Sequence, residues 1–170
     1  MIKWDSNVLA MVEKGVNGIS WEAQKKRLNP DGNWTLVHGD CWPGNFMWMV
    51  GEKFSDPTIK LLDWEMVGIG SGPQDLGQYV ISNMEPALRA ECEYELVQAY
   101  YQELLENNVD VDWEYVRTEY KIGGVERWLW FLVYFVGMEM GDWAQFFHDQ
   151  IMEFCRHHKL SPDSITQPRP

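Results

Sequence analysis

From Pro73 onward, apolar side chains recur at every third or fourth position, whereas between Trp34 and Trp64 they stand in short unbroken blocks. The first pattern is the period of helices packed on a core, and the second that of strands. "PQDLGQYVIS" opens a helix with Pro at a first-turn position. A longer helix is expected from about Pro86 to Asn107. The next is expected to be capped by Asp112, to run through "WLWFLVYFVGM" and to kink near Gly123-Gly124; "DWAQFFHDQIMEFCRHH" makes the last. Upstream, residues 5–14 and 20–28 predict two short helices, the second with Ser20 as N-cap. "NPDGN" reads as a turn, "WTLVH" as a strand, and "FMWMV" and "IKLLDW" as a hairpin joined by "GEKFSDPT". The segment from Trp64 to Gly72 reads as irregular and Gly-rich, and "SPDSITQPRP" as a disordered tail. The expected fold is α+β and mainly α-helical. Residues 1–160 form one domain with a small hairpin insert, and residues 161–170 the tail.

Two helical stripes define the expected core: Leu88, Cys92, Leu96, Ala99 and Leu104, then Trp143, Phe147, Ile151 and Cys155. "WLWFLVYFVGM" is apolar on every side, so it reads as a helix through the core. It is shorter than the roughly 20 residues of a membrane span, and Glu126 and Arg127 abut it. The N-terminus carries charges throughout and lacks the apolar centre of a signal peptide. No membrane partner is expected.

Composition narrows the function. The chain has 170 residues, 45% of them hydrophobic and ten of them Trp, enough for one well-buried core. A net charge of −12 argues against nucleic acid, whose phosphates need a basic stripe. It suits a cationic small molecule or a divalent metal better, although such charge also serves solubility. Three cysteines, Cys41, Cys92 and Cys155, form no paired motif, which fits a reducing, cytoplasmic setting. Cys92 and Cys155 lie on the apolar stripes, and nothing beside Cys41 suggests an activated thiol.

The chemistry concentrates in "LVHGDCWPGNFMWM" and "LLDWE". Asp40 and Asn45 share one tight loop, and a hairpin would return Asp63 beside it. Two carboxylates and an amide oxygen converging there form a hard oxygen set of the kind magnesium takes. With the metal on Asn45 and Asp63, Asp40 is left to orient an attacking hydroxyl and accept its proton, the division of labour of phosphoryl transfer. Either loop residue alone would be an ordinary turn former. His38 reads as a hydrogen-bonding support of the loop, and Asp75 as a helix-start acid or a brace for it. Glu65 would point the same way as Asp63 if the strand continued, towards a metal or substrate, or simply into water. "GIGSG" imitates a phosphate cradle, but no strand leads into it, and His157-His158 reads as favourable charge at a helix C-terminus.

"HGDCWPGN" followed by "LLDWE" resembles the catalytic and metal-binding segments of the aminoglycoside phosphotransferase and choline-kinase-like superfamily, whose fold is that of protein kinases. The resemblance extends through "GPQDLGQYV" and covers about Thr35 to Lys159. His-Gly-Asp with Asn five residues on would arise by chance on the order of once in a thousand chains of this length. The resemblance implies a kinase-like C-terminal lobe whose small β-hairpin carries the catalytic and metal-binding loops. It implies Asp40 as catalytic base, Asn45 and Asp63 as Mg2+ ligands, Asp75 bracing the loop, and ATP as co-substrate. Choline-kinase relatives typically carry Asn where Gly39 stands, which leans towards the aminoglycoside or general kinase-like branch.

Such kinases also have an N-terminal lobe with a Gly-rich hairpin and a phosphate-pairing Lys. Only 35 residues precede "LVHGD", and neither feature is recognisable in them. The expected function is therefore a small-molecule kinase lobe that phosphorylates a hydroxyl, on a substrate that could be cationic, once an N-terminal lobe completes it. By itself the chain is expected to turn over ATP negligibly. The alternative is a non-catalytic remnant acting as an interaction module, binding a partner lobe or its own copy through an exposed apolar face. A metal-dependent phosphohydrolase is disfavoured by the lack of further His and Asp motifs.

Overall fold

The computed structural model describes residues 2–18, 22, 32–50 and 57–166. In chain order these form α1 (Ser6–Asn17), β1 (Trp34–Val37), β2 (Phe46–Val50), β3 (Pro57–Leu61), β4 (Gly68–Ser71), α2 (Pro73–Asn83), α3 (Pro86–Glu106), α4 (Trp113–Gly137) and α5 (Gly141–His158). The mainly helical α+β class read from the sequence is the one observed. Apart from residue 22, the helix expected over 20–28 lies outside the described residues, as do residues 51–56 of the hairpin connector, whose Pro57 and Thr58 open β3. Among the described residues no helix is long and apolar enough to cross a membrane.

Local chemistry starts the helices where the sequence signals them. Asp5 caps α1 by accepting from the backbone N–H groups of Asn7 and Val8, at 3.0 and 3.2 Å. Asp112 caps α4 in the same way, through Glu114 and Tyr115. Asp5 also donates its own N–H to His148 Nε2 at 2.8 Å, which ties the start of α1 to α5. The core lies between the helices, with Val8, Met11, Val80, Ile81, Val116, Val125, Leu132, Ile151 and Phe154 wholly or almost wholly buried.

The tightest contact joins α2 to α4, the two helices that flank the loop chemistry. Backbone meets backbone at Gly77 and Gly124: a Cβ on Gly77 would collide with the Tyr120 carbonyl oxygen, and one on Gly124 would sit 2.7 Å from the Gly77 carbonyl carbon. The glycines of α4, expected to kink it, lie in an uninterrupted helix, and Gly124 serves close approach. Gly77→Ala should therefore lower stability by about 1–3 kcal/mol through overpacking, despite alanine's better helix propensity. Gly137→Ala, where an added Cβ meets nothing, should leave the urea midpoint unchanged or raise it.

Four other expectations are corrected. The "WLWFLVYFVGM" segment is not buried all round: Trp128, Leu129 and Leu132 face the core, while Trp130 and Tyr134 are more than half exposed. On α3 the stripe through Leu88 and Leu96 faces solvent, and the buried positions are Arg89, Glu93 and Val97. The Gly68–Ser71 segment is a strand, antiparallel to β1 from Trp34↔Ser71 to Val37↔Gly68. Residues 161–166, expected to be disordered, include a turn of 3-10 helix at Ser164–Thr166, and Ile165 is buried in the core.

Candidate active site

The loop after β1 is held by an almost complete set of hydrogen bonds, most of them reaching it from the helical core. α2 begins at Pro73, which puts Asp75 in its first turn and Gln78 three residues on, on the same face. The Asp75 carboxylate accepts from the backbone N–H of His38 at 2.6 Å and of Gly39 at 3.1 Å. Gln78 Oε1 accepts from the N–H of Cys41 at 3.0 Å. The remaining N–H, that of Asp40, donates to His38 Nδ1 at 3.3 Å. Four successive backbone donors thus have partners, as a buried turn requires.

The carbonyls are engaged too. Arg127 Nε on α4 donates to the Gly39 carbonyl at 2.5 Å. Asn45 Nδ2 donates to the Asp40 carbonyl at 2.9 Å. Gly39 itself has φ +77, and a Cβ there would strike the Met66 carbonyl oxygen. Glycine meets both demands, the left-handed backbone and the absent side chain.

These bonds fix where Asp40 stands. Its carboxylate accepts from Asn45 Nδ2 at 2.9 Å. The Asn45 amide nitrogen is therefore committed to Asp40, and the amide oxygen is the atom left over. Asn45 closes a short 3-10 turn, Pro43–Asn45, and leads straight into β2. β2 and β3 form the expected hairpin, in register from Phe46↔Leu61 to Val50↔Pro57.

Asp63 approaches through Leu62. The Leu62 N–H donates to the Asn45 carbonyl at 2.8 Å, and the Leu62 carbonyl lies 2.8 Å from His38 Nε2. Both ring nitrogens of buried His38 are thus used, Nε2–H donating to Leu62 and Nδ1 accepting from Asp40. The imidazole is a strut between the loop and the Asp63 segment. Asp63 follows at φ +59, a left-handed conformation uncommon outside glycine, and its side chain caps nothing.

Glu65 does not follow the expected course. β3 ends at Leu61, and Trp64–Met66 is a 3-10 turn, so the two-residue alternation that would align Glu65 with Asp63 is broken. Trp64 lies instead against His38, ring centroids 4.7 Å apart.

Arg127 and Gln78 belong to this site and were not singled out from the sequence. The signal for Arg127 was a lone cation bordering an apolar helical run, where a buried charge needs a specific partner. Burial lowers its pKa, opposed by the charges of Asp75 and Asp40. Burial raises the pKa of Asp75, opposed by its two backbone N–H bonds, from His38 and Gly39, and by the nearby Arg127 charge. Burial, with Asp75 and Asp40 adding, pushes the Cys41 thiol up to about 12. A thiol so shifted is a poor nucleophile at neutral pH. In the folded chain Cys41 and buried Cys155, also pushed up to about 12, should resist a disulfide reagent that reacts with partly exposed Cys92. Urea should release both; fast labelling of Cys41 without urea would contradict the buried loop.

Residues 9–112 match the profile of the ecdysteroid kinase-like family. The match spans more than half of the chain, which therefore belongs to that family and, with it, to the choline-kinase-like superfamily. No curated protein and no solved structure matches the chain.

Proposed function

We propose that the chain is the catalytic lobe of a small-molecule kinase, transferring the γ-phosphoryl of ATP to a substrate hydroxyl. One observation carries the reading. The 38–41 loop is hydrogen-bonded at every N–H, and it presents the Asp40 carboxylate against an Asn45 amide whose oxygen is spared. Asp40 accepts the proton of the attacking hydroxyl, and its bond from Asn45 keeps it aimed. Asn45 Oδ1 and the Asp63 carboxylate would hold magnesium, since both are hard oxygen donors and neither is engaged among the described residues. The metal, when bound, neutralises charge on the phosphates. Arg127 and Asp75 hold the loop's carbonyl and N–H groups so that Asp40 does not move as the proton transfers.

The described residues offer no glycine-rich cover for a nucleotide, so transfer draws on a nucleotide-binding lobe from elsewhere. The hairpin supports such a partner. Phe46 packs inward on Tyr79, ring centroids 5.0 Å apart, but Met47, Trp48, Met49, Ile59 and Leu61 are exposed. Apolar area of that extent marks a contact surface.

For the substrate, Trp130 and Tyr134 stand three and seven residues beyond Arg127, on the same face of α4. An aromatic strip therefore leads away from the loop that carries Asp40. It suits the rings of a steroid, and the family's description names ecdysteroids. A cationic amine could use the same rings through cation–π contacts. Fusing a nucleotide-binding lobe of a family member ahead of Met1 and assaying radiolabelled phosphate transfer to steroid alcohols, aminoglycosides and choline tests both points. Steroid-alcohol phosphorylation is the expected result. No transfer to any acceptor, with ATP bound, would leave the interaction-module reading.

A further inference from the structure

The charges expected to serve only the C-terminal end of α5 converge instead on one buried carboxylate. His157 Nε2 lies 2.9 Å from Glu93 Oε1, and His158 Nε2 lies 3.1 Å from Glu93 Oε2. The three side chains each offer one ligand atom, all within 4.8 Å of one another. Glu93 comes from the middle of α3 and the histidines from the last turn of α5, so the cluster joins two elements distant in sequence.

We propose that Glu93, His157 and His158 form a zinc site that clasps the end of α5 to α3. Ligands on tetrahedral zinc sit about 2.0–2.2 Å from the metal, which places them a little over 3 Å from each other. The two imidazole nitrogens lie 2.9 and 3.1 Å from the two oxygens of Glu93. One atom from each of the three side chains falls within 4.8 Å of the others, so a modest closure brings the set to that edge length. Two imidazoles and one carboxylate suit a borderline metal and not magnesium, which takes oxygen. Tyr120 on α4 donates its hydroxyl to Glu93 Oε2 at 3.1 Å, so the carboxylate is oriented from outside the ligand set. His157 is half exposed, which gives an entry path and leaves room for a water as fourth ligand.

The other histidines are unavailable. His38 has both ring nitrogens bonded, and His148 has Nε2 on the Asp5 N–H and Nδ1 on Asp149 at 2.8 Å. Among the described residues, His157 and His158 use their ring nitrogens only towards Glu93. To bind, each must present an unprotonated Nε2, by moving its proton to Nδ1 or releasing it. Zinc therefore competes with protons for these nitrogens, and affinity should fall on acidification.

The test is titration of the full chain with zinc against a chromophoric chelator, with cobalt as spectroscopic substitute and thermal unfolding as a second readout. One equivalent should bind, give the visible absorption of a four-coordinate cobalt site and raise the midpoint. Magnesium at the same concentration should do neither. His157→Ala, at a half-exposed position that tolerates truncation, should weaken zinc binding by about tenfold or more, and Glu93→Gln should do the same. No binding, or binding that survives His157→Ala, overturns the proposal.

Discussion

Asp40→Asn in the lobe-completed protein should lower phosphoryl transfer by about 10²- to 10⁴-fold, the usual contribution of a positioned general base. The asparagine keeps the size of the side chain and can still meet Asn45, but it cannot accept the hydroxyl's proton. Nucleotide binding should be nearly unchanged, because Asp40 is bonded within its own loop and acts at the chemical step. Asp63→Asn should differ, since it removes a charged oxygen donor from the proposed metal set. Transfer should be lost and the magnesium requirement raised, while folding is left alone at an exposed position. Steady-state kinetics at several magnesium concentrations, with nucleotide titration, separate the two. Equal and small losses from both variants would mean that the loop is only a turn.

Much of this site was legible in the chain because its parts are local. Asp40, Asn45 and the Pro-Gly turn lie within six residues, and turn chemistry dictates their arrangement. Asp75 was legible from its place at a helix start. Arg127 was not: it reaches the Gly39 carbonyl from 88 residues away, and no period or spacing announces a contact of that range. The face of α3 misled for a related reason. Apolar periodicity selected Leu88 and Leu96, yet the buried face carries Arg89, held over the Phe154 ring at 5.1 Å, and Glu93 between two histidines. Partners supplied by α5 outweigh the helix's own hydrophobic pattern. The Gly68–Ser71 strand escaped notice because glycine has poor strand propensity. There β1 supplies the pairing, and Gly70 leaves room for the Val37 side chain.

Asp75 should behave as a residue of folding as much as of turnover. Asp75→Ala strips partners from the N–H groups of His38 and Gly39, each costing about 1–3 kcal/mol where buried. Asp75→Asn should be milder, because its single oxygen can replace one of the two acceptors. The pH dependence distinguishes this from simple loss of packing. Burial raises the Asp75 pKa in the folded chain, so the folded state takes up this proton more readily than the unfolded state. Its contribution to stability is fully present below the unfolded value of about 3.9, and it is lost as pH rises through the raised folded value. Subtracting the urea-unfolding curves of Asp75→Asn from those of the wild type cancels the titrating groups that do not face Asp75, Glu93 included. The wild type's stability relative to the variant should therefore increase as pH is lowered from about 7 towards about 4. A difference that stays flat or shrinks over that range would mean that Asp75 is not held as a buried carboxylate. In that case turnover in the completed enzyme should also survive its replacement.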